Sequence, residues 1–578
     1  MASTMICGIG ASAGIATGPV FLYKSYKPVQ SAIAHIDVRA IHDSKAEWTR
    51  IEQALRQGRR EIQALRQKAS REVGESEAAI FEAHELFLDD PEFLQRVHDV
   101  LDVTQSSAEY AWQEGATQFA REMREIGDDY LAARADDIDD VARRVLRILS
   151  GAPDETTPIT EPVILVADDL TPSDTITLNK AMILSFCLAE GSATSHVAIL
   201  AKALGIPAIV SLGENIRQLQ SGMQVIINGA NGEIFIDPDE ETRERYGQQR
   251  QALERQRVLA FQCAFQPAIT RDGKRVEVVA NIGAPEDAAE ALNAGAEGIG
   301  LLRTEFLFLN HEQAPDEDEQ TRVYRRIFAQ MGQRPVVVRT LDIGGDKPAP
   351  YLTMPHELNP FLGIRGVRLT LAYPELFQTQ LRALLRAAEG RNLKLMFPMI
   401  ATPEEIRSAR EQVALAQKNL KARGVSFAHH FEIGMMVEIP AAAVLADIFA
   451  RDVDFFSIGT NDLVQYTLAA DRTNAAIAPL ADALHPAVLR LICLVIEAAH
   501  QRGRWVGVCG ELAGDVLAVP VLLGLGLDEF SATPKLVPFI KQAIRNYRTD
   551  EARQIADHVL TLANAHEVRA YLQAQGQC

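Results

Sequence analysis

Two groups of residues have the types and spacings that chemistry needs. The first is Gly191-Ser192-Ala193-Thr194-Ser195-His196, followed by the apolar run 197–204. The Gly-Ser-Ala stretch predicts a tight loop and Thr194 or Ser195 an N-cap, which puts His196 in the first turn of an apolar helix. A helix N-terminus disfavours imidazolium, so the ring stays nucleophilic near neutral pH. The free N–H groups of that first turn would also stabilise a phosphoryl group once attached. Thr175, at the start of a short predicted helix, is a candidate to orient the imidazole.

The second group is dispersed: Arg303, Arg339 with Asp342, Glu438, Asn461-Asp462, and Cys509 with Glu511. Each follows a short strand-like run. Two arginines on two strands can hold a phosphate and a carboxylate through forked hydrogen bonds. Gly344-Gly345-Asp346-Lys347 adds a flexible loop and another cation, and Arg472 is placed to complete an anion clamp. Glu438 and Asp462 supply hard oxygen atoms suited to Mg²⁺. Cys509, beside Gly507 and Gly510, reads as a proton donor and not a nucleophile, because neighbouring carboxylates and substrate anions disfavour a thiolate. Together these residues describe a site for a small, polyanionic, metal-bound ligand.

The elements that must position the second group recur in order. Eight strand-like runs, 276–280, 298–302, 335–338, 393–397, 433–437, 455–458, 505–508 and 527–530, alternate with helical patterns, which predicts a (β/α)8 barrel with reactive residues at the strand C-termini. Thr402-Pro403-Glu404-Glu405 opens one barrel helix with a capping box. The first group sits in a smaller α/β unit. It includes the runs 163–166 and 182–184 and a hairpin, 225–227 with 234–236, around Asn228-Gly229 and Asn231-Gly232. The segment 8–24 reads as a loop and one strand. Between 40 and 149 apolar residues such as Ile51, Leu55, Ile62 and Leu65 recur at helical spacing, which predicts an all-helical insert. Its acidic residues Asp89, Asp90, Asp128, Asp129, Asp136, Asp137, Asp139 and Asp140 are expected on its surface. The charged stretch 237–262 predicts a linking helix.

Composition narrows the class. The chain has 578 residues, 47% hydrophobic and 23% charged, which excludes a mainly disordered or collagen-like chain. Its 58 basic and 77 acidic residues give a net charge of −19, which argues against nucleic acid as a main partner. The first 23 residues hold no Lys or Arg, and the apolar run 517–527 is broken by Pro520, Gly524 and Gly526, so neither a signal peptide nor a membrane span is expected. The six cysteines form no CxxC pair. A reduced, cytoplasmic enzyme is expected.

The two groups together resemble Enzyme I of the bacterial phosphoenolpyruvate:sugar phosphotransferase system, a phosphoenolpyruvate–protein phosphotransferase. The motifs that carry the resemblance are Asp169-Leu170-Thr171-Pro172-Ser173-Asp174-Thr175, Thr194-Ser195-His196, Gly300-Leu301-Leu302-Arg303-Thr304-Glu305-Phe306 and the run from Arg339 to Lys347, with Met436-Val437-Glu438-Ile439-Pro440, Gly459-Thr460-Asn461-Asp462-Leu463 and Cys509-Gly510-Glu511-Leu512-Ala513-Gly514. The resemblance implies that His196 Nε2 takes the phosphoryl group of phosphoenolpyruvate. It implies that Arg303, Arg339, Asn461 and Arg472 hold the substrate, assisted by Lys347 and Arg365. Glu438 and Asp462 would ligate Mg²⁺, Asp462 also facing the substrate, and Cys509 would protonate the enolpyruvate methylene carbon.

The domains implied are a phosphohistidine α/β domain (1–30 plus 150–236), a helical insertion (31–149), a linker helix (237–263) and a substrate-binding barrel (264–578). The insertion would dock the phosphocarrier protein HPr around Phe81, His84, Phe87 and Leu88, and the barrel would form a homodimer. One departure is Gly191-Ser192-Ala193, where the family usually shows Gly-Gly and often Arg. Three other identities compete. ATP-linked relatives need a nucleotide-binding domain ahead of the histidine, nitrogen-regulatory paralogues typically carry an extra sensory domain, and an inactive scaffold would not need His196, Arg303, Arg339, Glu438, Asp462 and Cys509 together.

Overall fold

The helical spacing between residues 40 and 149 becomes five helices in a computed structural model of the chain. That structure describes residues 4–23, 43–72, 75–125, 129–152, 159–191, 196–309, 313–344, 351–352, 357–471, 474, 477 and 480–575. The chain divides into two units, Met1–Glu254 and Arg255–Cys578.

In the first unit the five helices are α1 (Ser44–Glu72), α2 (Glu75–Phe87), α3 (Pro91–Thr104), α4 (Ala108–Glu125) and α5 (Asp129–Ser150). Ile51 and Ile62, Phe81, Phe93 and Val97, Trp112, and Val141 and Val145 meet in one core. Trp112 sits edge-on to Phe93 at 5.0 Å, and its Nε1 donates to Ala142 O at 3.0 Å, so the one polar atom of the largest core side chain is satisfied. The acidic run is not uniformly a surface. Asp139 and Asp140 are buried, Asp139 against Arg124 at 2.7 Å, while Asp140 accepts from Ser173 N at 3.4 Å. Asp90 caps α3, accepting from Glu92 N and Phe93 N ahead of Pro91. These carboxylates have specific backbone and guanidinium partners, which composition alone cannot separate from a solvated face.

The α/β part of this unit is an eight-stranded sheet. Its strands are β1 (Thr4–Cys7), β2 (Ile9–Ser12), β3 (Ile15–Leu22), β4 (Val163–Ala167), β5 (Ile183–Leu188), β6 (Ala208–Val210), β7 (Gln224–Asn228) and β8 (Glu233–Ile236). They are arranged in the order β1-β8-β7-β3-β4-β5-β6-β2. The segment 8–24, expected as a loop and one strand, holds two strands, β2 and β3, and β1 precedes it. Gly8 and Gly10 break the alternation there, and a Cβ on Gly10 would lie 2.4 Å from Gly229 O, so close backbone approach replaces side-chain patterning. The expected hairpin is β7–β8, with Val225 opposite Ile236 and Gly232 at φ +71 in its turn. Two helices matter for the site. The first is α6 (Pro172–Thr177), closed by a Thr171–Asp174 capping box, and the second is α7 (His196–Leu204).

The linking helix is α8 (Glu240–Gln262). Near its start Tyr246 packs on Phe235 at 5.0 Å and donates to Glu233 Oε2 at 3.2 Å. At its end, within the second unit, Lys541 Nζ donates to Ala264 O at 3.1 Å and Gly295 O at 2.6 Å. Arg545 Nη2 donates to Cys263 O at 2.9 Å and Gln266 O at 2.6 Å. Two cations thereby fix the turn that follows the helix end.

The second unit is a closed parallel barrel of β10 (Arg275–Ile282), β11 (Ile299–Leu302), β12 (Val336–Arg339), β13 (Leu393–Phe397), β14 (Glu432–Val437), β15 (Phe455–Ile458), β16 (Trp505–Val508) and β17 (Glu529–Ala532). The short strand β9 (Ala268–Ile269) pairs antiparallel to β10. β10 pairs in parallel with both β11 and β17, which closes the ring and removes every open edge. All eight expected runs are barrel strands, with ends that move by at most two residues. Leu301, Val337, Met396, Met436, Phe455 and Cys509 fill the interior. The expected capping box is present, Thr402 and Glu405 bonding reciprocally at the start of the helix Pro403–Ala422.

Candidate active site

Strand direction brings the second group of residues to one mouth of the barrel. Arg303 follows β11, Arg339 ends β12, Glu438 follows β14, Asn461 and Asp462 open the helix Thr460–Leu468 after β15, and Cys509 follows β16. Parallel strands all end on the same face, so a chain that places these residues at strand ends must gather them.

Arg339 is buried and holds the site together. Its Nη2 donates to Glu305 Oε1 at 3.0 Å, and its Nη1 lies 3.0 Å from Asp342 Oδ2 and 3.8 Å from Glu438 Oε1. Arg365 lies 3.1 Å from Asp342 Oδ2 through Nη2 and 3.2 Å from Asp462 Oδ1 through Nη1. Burial alone would lower both guanidinium pKa values. The carboxylates around each outweigh it, so both stay firmly charged. Arg365 can reach Asp342 because Gly366, at φ +57, turns the chain where a Cβ would meet Met399 at 2.9 Å and Asp342 Oδ1 at 3.2 Å.

Arg303 is different. Its side chain is solvent-exposed at the rim, and among the described residues it makes no ion pair. Enclosure by the surrounding protein and the like charge of Arg339 both lower its pKa. A cation held near a cation, with Glu305 and Glu511 only partly offsetting the repulsion, is a place for an anion.

Glu438 is buried, with Oε2 accepting from Met399 N at 2.8 Å. Its pKa is pushed up to about 8, first by burial, then by Asp462 and Asp342, against the pull of Arg339 and Arg365. Glu438 is thus a hard oxygen donor short of positive charge, and with Asp462, itself paired to Arg365, it offers carboxylate oxygens that fit a divalent cation. Among the described residues no group of three or more His, Cys, Asp or Glu is placed to hold a metal ion by itself. Cys509 is buried, and its thiol donates to Ile458 O at 3.7 Å. Burial pushes its pKa up to about 11; Glu438 adds to the rise, and Ser457, Arg339 and Arg303 oppose it. At neutral pH the group is a thiol that carries its proton. Asn461 and Glu511 bond reciprocally, Nδ2 to Oε1 at 3.2 Å and Glu511 N to Oδ1 at 2.9 Å, tying the loops after β15 and β16 together.

The first group is less fully described. His196 is the first residue of α7. Thr175 is buried in α6, and its Oγ1 donates to Pro172 O at 2.8 Å. Residues 192–195, Lys347 and Arg472 lie outside the described residues. Phe81, His84 and Leu88, expected at a docking surface, are instead buried. His84 lies edge-on to Phe81 at 5.5 Å with Nε2 3.3 Å from Asp137 Oδ1, so these side chains build the helical core. The exposed apolar side chains here include Leu86 (69%) and Val103 (84%).

Sequence reasoning gave no role to Glu305, which orients Arg339 and also accepts from Asp342 N at 3.1 Å. Its place two residues past Arg303, in the same strand-end turn, was the available signal.

Three family models match this chain: "PEP-utilising enzyme, N-terminal" over residues 7–134, "PEP-utilising enzyme, mobile domain" over 159–232, and "PEP-utilising enzyme, PEP-binding domain" over 259–549. Among similar proteins, one from Bacillus sp. (strain S) is 46% identical over 568 residues, 98% of this chain and 97% of its own. One from Geobacillus stearothermophilus matches to the same extent. A third, from Bacillus subtilis (strain 168), is 44% identical over 98% of each chain. All three are described as phosphoenolpyruvate-protein phosphotransferases.

Proposed function

We propose, for a chain that belongs to the phosphoenolpyruvate–protein phosphotransferase family, that His196 carries the phosphoryl group and that HPr of the sugar phosphotransferase system receives it. The observation that carries this reading is the barrel mouth, where the exposed Arg303, the buried Arg339, the Glu438–Asp462 pair and the protonated Cys509 converge.

Arg303 and Arg339, with Asn461 and Arg472, hold the phosphate and carboxylate of phosphoenolpyruvate; Lys347 and Arg365 assist, Arg365 by fixing Asp342 and Asp462. Mg²⁺ held by Glu438 and Asp462 would neutralise charge on the transferring phosphoryl group. His196 Nε2 forms the N–P bond as the bond from phosphorus to the enol oxygen breaks. The electron pair passes through the enolate to C3, which takes the proton of Cys509, and pyruvate leaves. The thiolate then regains a proton from water. Thr175 orients the imidazole.

The same reading assigns 1–30 with 150–236 to the phosphohistidine domain, 31–149 to HPr docking, 237–263 to the linker and 264–578 to a dimerising barrel. His196 belongs to one unit and the substrate groups to the other, which supports a transfer in which the phosphohistidine domain swings between donor and carrier. Intact-mass analysis after adding phosphoenolpyruvate and Mg²⁺ tests the reading. Wild type gains one acid-labile phosphoryl group that HPr discharges, and His196→Ala gains none. A phosphorylated His196→Ala, or a wild type that gains nothing, refutes it.

A further inference from the structure

Outside the groups already assigned, the polar side chain at the barrel mouth with the most fully built surroundings is Asn281. It lies near the end of β10, and its Nδ2 reaches past β17 to donate to Cys509 O at 2.9 Å and to Ser531 O at 3.0 Å. Its Oδ1 accepts from Ser531 Oγ at 2.6 Å. The two carbonyls accept only, so the amide has a single orientation that satisfies all three bonds. The β16–β17 pairing ends at Val508 opposite Phe530, so Cys509 O lies beyond the ladder and takes its bond from this side chain.

Two further features serve this arrangement. The β10–β11 register shifts between Ala280 and Asn281, an irregularity of the kind that re-aims a side chain beside an active site. Gly300 on β11 leaves the room that Ser531 needs, since a Cβ there would lie 2.4 Å from Ser531 Oγ. On the other side of the Cys509 Cα, the preceding peptide is fixed by the Cys509 N–H, which donates to Ile458 O at 3.0 Å. Two strands therefore hold the two peptide groups that flank the Cys509 Cα, and a third, β17, holds Asn281 in place.

We propose that Asn281, locked by Ser531, is a positioning residue that holds the Cys509 thiol at the distance and angle from which it protonates C3 of enolpyruvate. The proposal rests on the reading of Cys509 as the acid. In the step concerned the S–H bond breaks as the C3–H bond forms, the enol pair supplies the electrons, and the thiolate is reprotonated by water. Displacing an acid by about 1 Å costs on the order of a hundredfold in rate, whereas the residues assigned to substrate binding bond elsewhere.

The test is a rapid-quench measurement of the first equivalent of pyruvate, with the full chain, Mg²⁺ and phosphoenolpyruvate, in H₂O and in D₂O. It is made on wild type, Asn281→Ala, Ser531→Ala and Cys509→Ala, alongside phosphoenolpyruvate affinity by calorimetry. Asn281→Ala is expected to slow the burst about ten- to hundredfold, raise the solvent isotope effect and change affinity less than threefold. Ser531→Ala, which keeps both donor bonds, falls between it and wild type, and it carries the test if Asn281→Ala does not fold. An unchanged burst, an unchanged isotope effect or a parallel loss of affinity overturns the proposal. A Cys509→Ala enzyme with wild-type burst and isotope effect overturns the acid assignment itself, and the positioning role with it.

Discussion

Binding of Mg²⁺ to this enzyme is expected to release a proton, and Glu438 sets how many. The metal-free carboxyl has its pKa pushed up to about 8 by burial and by Asp462 and Asp342. At pH 7 a group of that pKa is about 90% protonated, while the metal requires the ionised form. Apparent Mg²⁺ affinity should therefore rise about tenfold per pH unit up to pH 8 and level off above it. About 0.9 proton should be released per metal bound at pH 7.

The stability sign is opposite. The folded-state pKa lies above the unfolded value near 4.5, so the metal-free protein has this contribution in full below pH 4.5 and loses it as pH rises through 8. Calorimetric titration of Mg²⁺ in two buffers of different ionisation enthalpy, at pH 6, 7 and 8, reads the proton count directly. Glu438→Gln should abolish the proton release together with most of the affinity. A Mg²⁺ affinity independent of pH, with no proton released at pH 7, would refute the reasoning.

Other predictions follow from particular contacts. Trp112→Ala removes a fully buried side chain and its bond to Ala142 O, and should cost about 3–5 kcal/mol in the unfolding of the helical part, read by chemical denaturation. Glu317 is held down to about 2: partial burial raises it, but Arg423, Arg382 and Arg386 outweigh that. Its contribution to stability is present above the usual carboxylate range and is lost as pH falls from about 4.5 toward 2, so Glu317→Gln should remove an acid-dependent step from the barrel's unfolding curve. Gly366→Ala places a Cβ at φ +57 against Met399 and Asp342, and should raise the KM for phosphoenolpyruvate by loosening Arg365 while the circular dichroism spectrum stays as in wild type.

Much of the barrel could be read from the chain because its order is redundant. Eight short apolar runs in succession, alternating with helical patterns, admit few other folds. The same regularity put Arg303, Arg339, Glu438, Asp462 and Cys509 within reach before any coordinate was known. Asn281 could not be found that way, because its role depends on a register shift and on a glycine in the next strand, and neither leaves a mark in composition or period. The first two strands escaped for a related reason, glycines at 8 and 10 having replaced the alternation that identifies a strand. Phe81, His84 and Leu88 show the limit of helical spacing, which says that residues share a face but not whether that face meets solvent or a core.

The cations that fasten the end of α8 have a mechanical meaning. Lys541 and Arg545 pin Cys263, Ala264 and Gln266, so the helix ahead of them is a lever on a fixed fulcrum. With 23 residues it is about 35 Å long, and a tilt of about 10° at its seat moves the far end by about 6 Å. A sub-ångström adjustment beneath Lys541 would thereby reach the far end of a rigid helix as a displacement the size of a side chain. Loosening the fulcrum would soften that gearing without touching any residue that meets substrate.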